Sequence, residues 1–325
     1  MRMTVLETER TAPTAGATKD LHTESPIAAP AEPQSRNHRK YLLFALFAFP
    51  NLLLIAVFAY WPILGNLLLS LTDWDMISPF PNFIGLENYT ALFTDPGFVD
   101  VMRRTLTWVV AVVGASLVCG LGMALLFNGG ARGTKAVSTL AFTPHVISGA
   151  AVAAVWLFVF DPNYGLSRLL FNAIGMDSPH WTTDPDMALS ALIIVAVWKG
   201  AGFVAIVYLA ALQSIPRDVI EAAQLDGAGR WKTFSKIVWP LLTPTTFFLC
   251  VTQIIGAFQA FDLIAMMTSG GPAGSTTTLS WYIYEQGFQE FNIGSAAASS
   301  VFMFIILLVV TAVQMRFAER KVHYS

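Results

Sequence analysis

Apolar and polar positions divide the chain into a polar start and a series of long apolar runs with short polar connections between them. Residues 1–40 are rich in Thr, Ala, Pro and Glu and contain no apolar run. Such a stretch cannot bury enough surface to offset the entropy of ordering it, so it reads as a disordered tail. Six apolar stretches follow, near 41–71, 105–127, 136–160, 187–213, 241–268 and 294–315. At about 1.5 Å of rise per residue, each can cross a hydrocarbon core of about 30 Å. The first is longer than one crossing needs and carries Pro50 and Pro62. Each proline removes a backbone donor and favours a kink or an early end, so part of this run is expected outside the lipid. The tail holds no apolar core with a small-residue cleavage site, and this first apolar run is too long for a signal peptide, so it reads as a retained anchor. The pattern predicts an all-α membrane protein with six transmembrane helices. The loop 72–104 mixes aromatics, Pro and Gly and is expected to form an ordered external lobe.

Composition agrees with lipid as the solvent. Of 325 residues, 55% are hydrophobic and 12% charged, where a soluble domain has roughly 25% charged residues. A net charge of −2 leaves no basic surface to neutralise phosphates, which excludes nucleic acid as a partner. Cys119 and Cys250 both lie in apolar runs, as small buried hydrophobes do, and no disulfide framework is present. Lys and Arg set the orientation. They gather before the first run (Arg36, Arg39, Lys40), after the second (Arg132, Lys135), between the fourth and fifth (Arg217, Arg230, Lys232, Lys236) and after the sixth (Arg316, Arg320, Lys321). The alternate connections hold only Arg103, Arg104 and Arg168 among many acids. Both termini are therefore expected in the cytoplasm, with the chain a multi-pass membrane protein.

Catalytic signatures are missing. There is no His-Glu-x-x-His, Gly-x-Ser-x-Gly or Cys-x-x-Cys, and His22, His38, His145, His180 and His323 are scattered. Neither a metal site nor an enzyme is readable. The segment "GGARGTK" at 129–135 breaks the order that a phosphate-binding loop requires. If ATP drives this protein, another chain binds it.

The connection 214–240 is the longest of those on the Lys/Arg-rich side apart from the tail. In "SIPRDVIEAAQLDG", Ser214 can cap a helix, Pro216 suits its first turn and Asp218 faces its positive end. Gly227 suits a left-handed stop. A second helix is expected from about Arg230, ended by Pro240 before the fifth span. Val219, Ala222, Ala223 and Leu225 make a modest apolar face beside Glu221, small enough for another backbone to approach. The stretch "EAAQLDGAGRWKTFSKIVWPLLTP" is similar to the signature of permease subunits in binding-protein-dependent ABC importers. Glu221, Ala222, Ala223, Gly227, Ile237 and Pro240 stand at its positions, and Trp239 departs from the usual Leu. The flanks "VWKGAGF", "LAALQSIP" and "TSGGPAGSTTTL" resemble the carbohydrate-uptake branch, including sugar and glycerol-3-phosphate permeases, over residues 41–323.

That resemblance implies a type I importer permease fold over 41–323, with a cytoplasmic coupling helix that inserts into an ATPase subunit. Glu221, Ala222, Ala223, Asp226 and Gly227 would form it. It also implies a second permease subunit, two ATP-binding subunits carrying ATP and Mg, and an external substrate-binding protein. The cargo would be a sugar, an oligosaccharide or glycerol-3-phosphate and its diesters. This chain would bind no cofactor of its own.

Ionisable groups within spans cost several kcal/mol and face a cavity or a partner. Lys199 and Asp262 are the ones placed clearly inside spans, and they could pair only through the long lysine. Snorkelling and interhelical pairing are the plain alternatives. Gln253 and Gln259, with Trp198 and Phe261, supply the amide and ring surface that sugars take, and helix packing accounts for them equally. His145 beside Pro144 marks either a hydrogen-bonded kink or an interrupted helix lining a cavity. The small run 294–300, "GSAAASS", predicts close helix contact. The rival to an ATP-driven permease is a secondary transporter or channel, which would show inverted repeats or several membrane acids.

Overall fold

The computed structural model describes residues 36–129 and 134–321, which are almost wholly helical. In chain order the helices are α1 (Arg36–Ile55), α2 (Trp61–Leu69), α3 (Glu87–Thr94), α4 (Pro96–Asn128), α5 (Thr134–Val146), α6 (Gly149–Val159), α7 (Leu166–Ala173), α8 (Pro185–Ser214), α9 (Arg217–Leu225), α10 (Arg230–Thr233), α11 (Trp239–Phe258), α12 (Asp262–Met267), α13 (Leu279–Tyr284) and α14 (Ile293–Lys321). Wider π-helical turns occupy Ala56–Tyr60, Phe234–Val238 and Glu285–Gln289. Among the described residues the chain divides into two units, with the boundary after Ala56. All candidate site residues lie in the second. The expected tail falls outside the described residues up to 35, and 36–40 prove helical. Arg and Lys are good helix formers, and lengthening an existing helix is cheaper than starting one.

Among the described residues, five helical runs are long and apolar enough to cross a membrane: Lys40–Leu69, Pro96–Asn128, Pro185–Ser214, Arg230–Phe258 and Ile293–Arg316. A sixth is the pair Val137–Val146 and Gly149–Val159, bent by 105° at its break. Of the two alternatives at Pro144 and His145, a hydrogen-bonded kink and an interrupted helix, the structure shows the interruption. Pro144 removes a backbone donor inside α5, and Ser148 is extended at φ −55° and ψ 139°, so the chain turns there. The fifth span differs as well. Its helix begins at Arg230, not near 241, because Pro240 does not end the preceding helix. The turn before it widens so that Trp239 N–H bonds the carbonyl of Phe234, which makes room for a ring that would otherwise strike the turn below. The run then stops at Phe258, and Asp262 opens a separate short helix. The second and fourth spans start earlier than expected, at the same sequence device. Asp95 accepts from Gly97 N–H at 2.9 Å and Asp184 from Asp186 N–H at 2.9 Å, each followed by a proline in the first turn.

α8 is the helix around which α4, α5 and α11 pack. Its Ala188, Ala191, Leu192, Val195, Val204 and Ala205 are fully enclosed. A Cβ on Gly120 of α4 would lie 2.6 Å from Val204 Cβ, and one on Gly202 would overlap the Ala141 carbonyl of α5, 2.5 Å from its carbon. Backbones thus approach where side chains are absent, as expected of helix contacts in lipid. Two long-range hydrogen bonds reinforce α11: Trp108 Nε1 donates to Ala257 O at 3.0 Å, and Tyr208 OH donates to Thr246 Oγ1 at 3.0 Å.

The loop 72–104 is an ordered lobe, as the sequence predicts. Asn88 Nδ2 donates to the carbonyls of Ser70 at 2.9 Å and Thr72 at 2.7 Å, and Tyr89 OH donates to Ser70 Oγ at 2.7 Å. Backbone N–H groups, Ser78 first, hold the Asp75 carboxyl below the usual carboxylate range. Gly294 at the start of α14 sits against this lobe, where a Cβ would lie 2.8 Å from Asn88 Nδ2. Ala296, Ala297, Ala298 and Ser299 are buried beyond it, so the small run does mark close contact.

Gly202 offers a direct check on the packing. Gly202→Val must lift α5 from α8 and is expected to cost about 3 kcal/mol or more. Gly114→Ala, whose Cβ meets nothing within 4 Å, is expected to be near neutral. Denaturation of the purified protein in detergent micelles measures both.

Candidate functional site

The connection between α8 and α11 folds back on the ends of the spans. Ser214 does not cap α9. It is the last residue of α8, and its hydroxyl donates back to Ala211 O at 2.8 Å, so Pro216 stands at the cap position without a side-chain bond. The chain leaves α8 extended at Ile215 (ψ 123°), which a residue before proline favours. Asp218 lies in the first turn of α9 as expected. The helix ends on a paired stop in which Ala228 N–H bonds Ala223 O at 2.9 Å and Gly227 N–H bonds Gln224 O at 3.0 Å. Gly227 has φ +76°, the left-handed conformation this stop requires.

α9 has two distinct faces. Glu221, Ala222 and Asp226 are exposed, with Leu225 89% exposed and Val219 41%. Ala223, expected on that outer face, is turned inward at 7% exposure. Its register explains this: Ile220, Ala223 and Gln224 share the opposite face by helical spacing. Ile220 and Gln224 line a cavity of 520 Å³ closed by Leu125 and Asn128 of α4, Leu212 of α8 and Phe234. The exposed side of α9 therefore carries Val219, Glu221, Ala222 and Leu225, while Ala223 is packed inward.

Three of the five residues expected along a pathway gather around one stretch of α8. Lys199 is half-buried on α8, and His145 lies on α5, which packs against α8. The His145 ring stacks on Phe203 at 4.8 Å between centroids and 15° between planes. Gln253 of α11 faces the same level, since a Cβ on Gly200 would lie 3.9 Å from its Oε1 and 3.5 Å from Ser116 Oγ. Ser116 Oγ is fully buried without a hydrogen-bond partner. Trp198 meets Trp156 edge-on at 5.5 Å.

Gln259 and Asp262 stand apart from that group. Gln259 lies in a separate apolar groove of 470 Å³ against α14. Asp262 is not paired with Lys199, as no ion pair or hydrogen bond joins the two. Its carboxylate instead covers Gly149, the first residue of α6, where a Cβ would lie 2.5 Å from Asp262 Cγ. The break before α6 explains the change: with 136–160 no longer straight, the start of α6 comes to α12. Gly149, Gly200 and Ser116 escaped the sequence reading. Of these, only "PHVISG", where Pro144 and a Ser-Gly pair bracket the break, carried a readable signal. Among the described residues no group of three or more His, Cys, Asp and Glu is placed to hold a metal ion.

Residues 116–324 match the family described as "Binding-protein-dependent transport system inner membrane component". The chain is 35% identical over 277 residues to an sn-glycerol-3-phosphate transport system permease protein UgpA from Pectobacterium atrosepticum, covering 85% of this chain and 94% of that protein. It is 36% identical over 286 residues to the UgpA protein of Escherichia coli O157:H7, covering 88% and 95%. Among solved structures it resembles a chain of a bacterial ABC transporter that imports the acidic polysaccharide alginate, with TM-score 0.75 and 29% identity over 89% of this chain and 99% of that one. A chain of the alginate transporter in complex with a pentasaccharide-bound periplasmic protein gives 0.74 and 28%, over 88% and 96%. With its helical spans and α9 in the signature position, the chain belongs to the inner-membrane permease family of binding-protein-dependent transport systems and is a permease subunit of an ABC importer.

Proposed function

We propose that this permease carries an anionic, polyhydroxylated solute of the glycerol-3-phosphate class inward through the bacterial cytoplasmic membrane. It would work with a second permease subunit, two ATP-binding subunits that hold ATP and Mg, and an external binding protein that delivers the cargo. The chain itself catalyses no reaction and binds no cofactor. The observation that carries the energy-coupling half of this reading is the exposed face of α9. Glu221 and Ala222 project from a helix whose end is fixed at Gly227 and whose inner side is seated by Ala223. An ATPase subunit docked there would move α8 directly through the two-residue link Ile215–Pro216.

Lys199 supports the anionic cargo. It is a cation within a span, half-buried and with no ion pair to a carboxylate among the described residues, and the next residue, Gly200, faces the amide of Gln253. The related permeases are named for sn-glycerol-3-phosphate, and the similar transporters of known structure import an acidic polysaccharide. A neutral sugar is the second reading, favoured by Trp198, which is 45% exposed next to Lys199. On the proposed orientation both termini and α9 lie in the cytoplasm, with residues 1–40 as a cytoplasmic tail before the permease domain of 41–323.

Three measurements test this reading. Cysteines introduced as Gly229→Cys and Gly271→Cys should be labelled from opposite sides, the first from the cytoplasm and the second from outside. Reversal of both overturns the orientation. In proteoliposomes holding the whole complex, Gly227→Val should insert normally but lose at least tenfold in both uptake and transport-linked ATP hydrolysis. A branched side chain is strained at that φ. Glu221→Ala should lower both activities together while leaving binding-protein affinity unchanged. Wild-type values for the pair would remove α9 from coupling. For the cargo, Lys199→Met should weaken uptake of sn-glycerol 3-phosphate about ten- to a hundredfold, the scale of a lost hydrogen bond to a charged group, at unchanged membrane abundance. Equal loss of uptake and abundance would make Lys199 structural.

A further inference from the structure

The two arms of the broken third span are pinned to different neighbours. α5 lies on α8, where the absent side chain of Gly202 admits the Ala141 carbonyl and Phe203 stacks on His145. α6 lies on α12, where the absent side chain of Gly149 admits the Asp262 carboxylate. Val152 and Ala153 of α6 share a buried core with Leu263, Ile264 and Met267 of α12. Between the pins the chain turns by 105°, and Val146 and Ile147 at the turn are exposed. Pro144 has already removed one backbone bond on the α5 side.

We propose that Asp262 is a positioning residue for transport. Seated over Gly149, it binds the α6 arm to α12, so that the break at 147–148 works as a hinge between an α5 arm that follows α8 and an α6 arm that follows α12. The electrostatics favour the seat. α6 is eleven residues long, and its Ser148 cap makes no side-chain bond, so an anion at its first turn meets unpaired N–H groups and the positive end of the helix. α12 is tied in turn to the loop after it, through Thr268 Oγ1 and Thr276 Oγ1 at 2.8 Å and through Phe261 stacked on Trp281 at 5.8 Å. The α6 arm packs mainly on α12, within 261–281, with Trp156 also meeting Trp198 of α8 edge-on, whereas the α5 arm packs on α8 and, through α8, leads to α9. Any displacement of α9 relative to the 261–281 block appears as a change of bend beside His145 and Lys199. Asp262 thus acts through α6 and does not line the path.

This inference rests on the importer reading, and its test separates the two. Spin labels are placed through Thr143→Cys on α5 and Val155→Cys on α6, in full-length protein carrying Cys119→Ser and Cys250→Ser and assembled with its partner subunits. The parent is expected to show one narrow distance without nucleotide and a different one after trapping with ATP and vanadate. Asp262→Ala should at least double the width of the nucleotide-free distribution and lower sn-glycerol 3-phosphate taken up per ATP hydrolysed at least fivefold, with ATP hydrolysis retained. Gly149→Ala should shift the mean distance and lose at least tenfold in uptake. The double variant should lose no more than Asp262→Ala alone, because the overlap is relieved. An unchanged distribution in Asp262→Ala, additive losses in the double variant, or uptake and ATP hydrolysis falling together with abundance would each overturn the hinge. If the parent takes up none of this solute while the label distances follow the variants as stated, the cargo reading falls and the hinge stands.

Discussion

Lipid gives two apolar helices nothing for leaving it, so this fold depends on how closely backbones can approach α8. Gly120 of α4 meets Val204, and Gly202 of α8 itself meets the Ala141 carbonyl. Once α4 and α5 are set at those distances, the few polar groups in the spans have fixed addresses. Gly200 and Phe203 lie within one turn of Gly202, Gly200 facing Ser116 and Gln253 and Phe203 stacking on His145. The polar cluster is thus a consequence of the packing. A bulkier residue at 202 would dissolve it without touching any polar side chain.

The spans were legible from the sequence because a run of about twenty apolar residues has few other uses, and the EAA-type stretch was legible because its spacing is specific. The errors fall where backbone chemistry and length disagree. Pro144 and Pro240 lie in similar apolar settings, yet the first precedes a break and the second is absorbed by a widened turn. A proline states only that one hydrogen bond is lost; the neighbours decide how the loss is met. At 144 the chain has Ser148 and Gly149 close by, able to turn and to receive Asp262. At 240 the sequence runs on without such residues. Ser214 misled for a related reason, since a hydroxyl can bond back into the helix before it as readily as cap the helix after it. Ala223 was placed on the outer face because all small residues of α9 were assigned to one side, although its spacing from Ile220 puts it on the other.

On the proposed coupling role, Gly227 and Ala223 are what would let this connection transmit force. A helix of nine residues in water is marginal by itself, so α9 would fray if only its sequence held it. Its C-terminal carbonyls are closed by the bonds to Ala228 and Gly227, and its inner face looks across a cavity of 520 Å³ onto the ends of α4 and α8 and onto Thr233, Phe234 and Val238 before α11. The outer face is left free for a partner, with Leu225 almost fully exposed. A rigid short helix with one seated face and one open face behaves as a lever, and a flexible loop of equal length would not.

The placement of the two span charges completes this picture. A cation and a carboxylate in one membrane domain would be expected to neutralise each other, because each costs several kcal/mol alone. Here they do not meet. Asp262 lies over Gly149 at the positive end of α6, and among the described residues Lys199 makes no ion pair. Had Asp262 paired with Lys199, the cation would be spent on structure and the α6 arm would be untied. Separating them serves both proposed roles at once. The acid fixes one arm of the broken span, and the base remains uncompensated beside the bend, where an anionic solute is the ligand that would complete it.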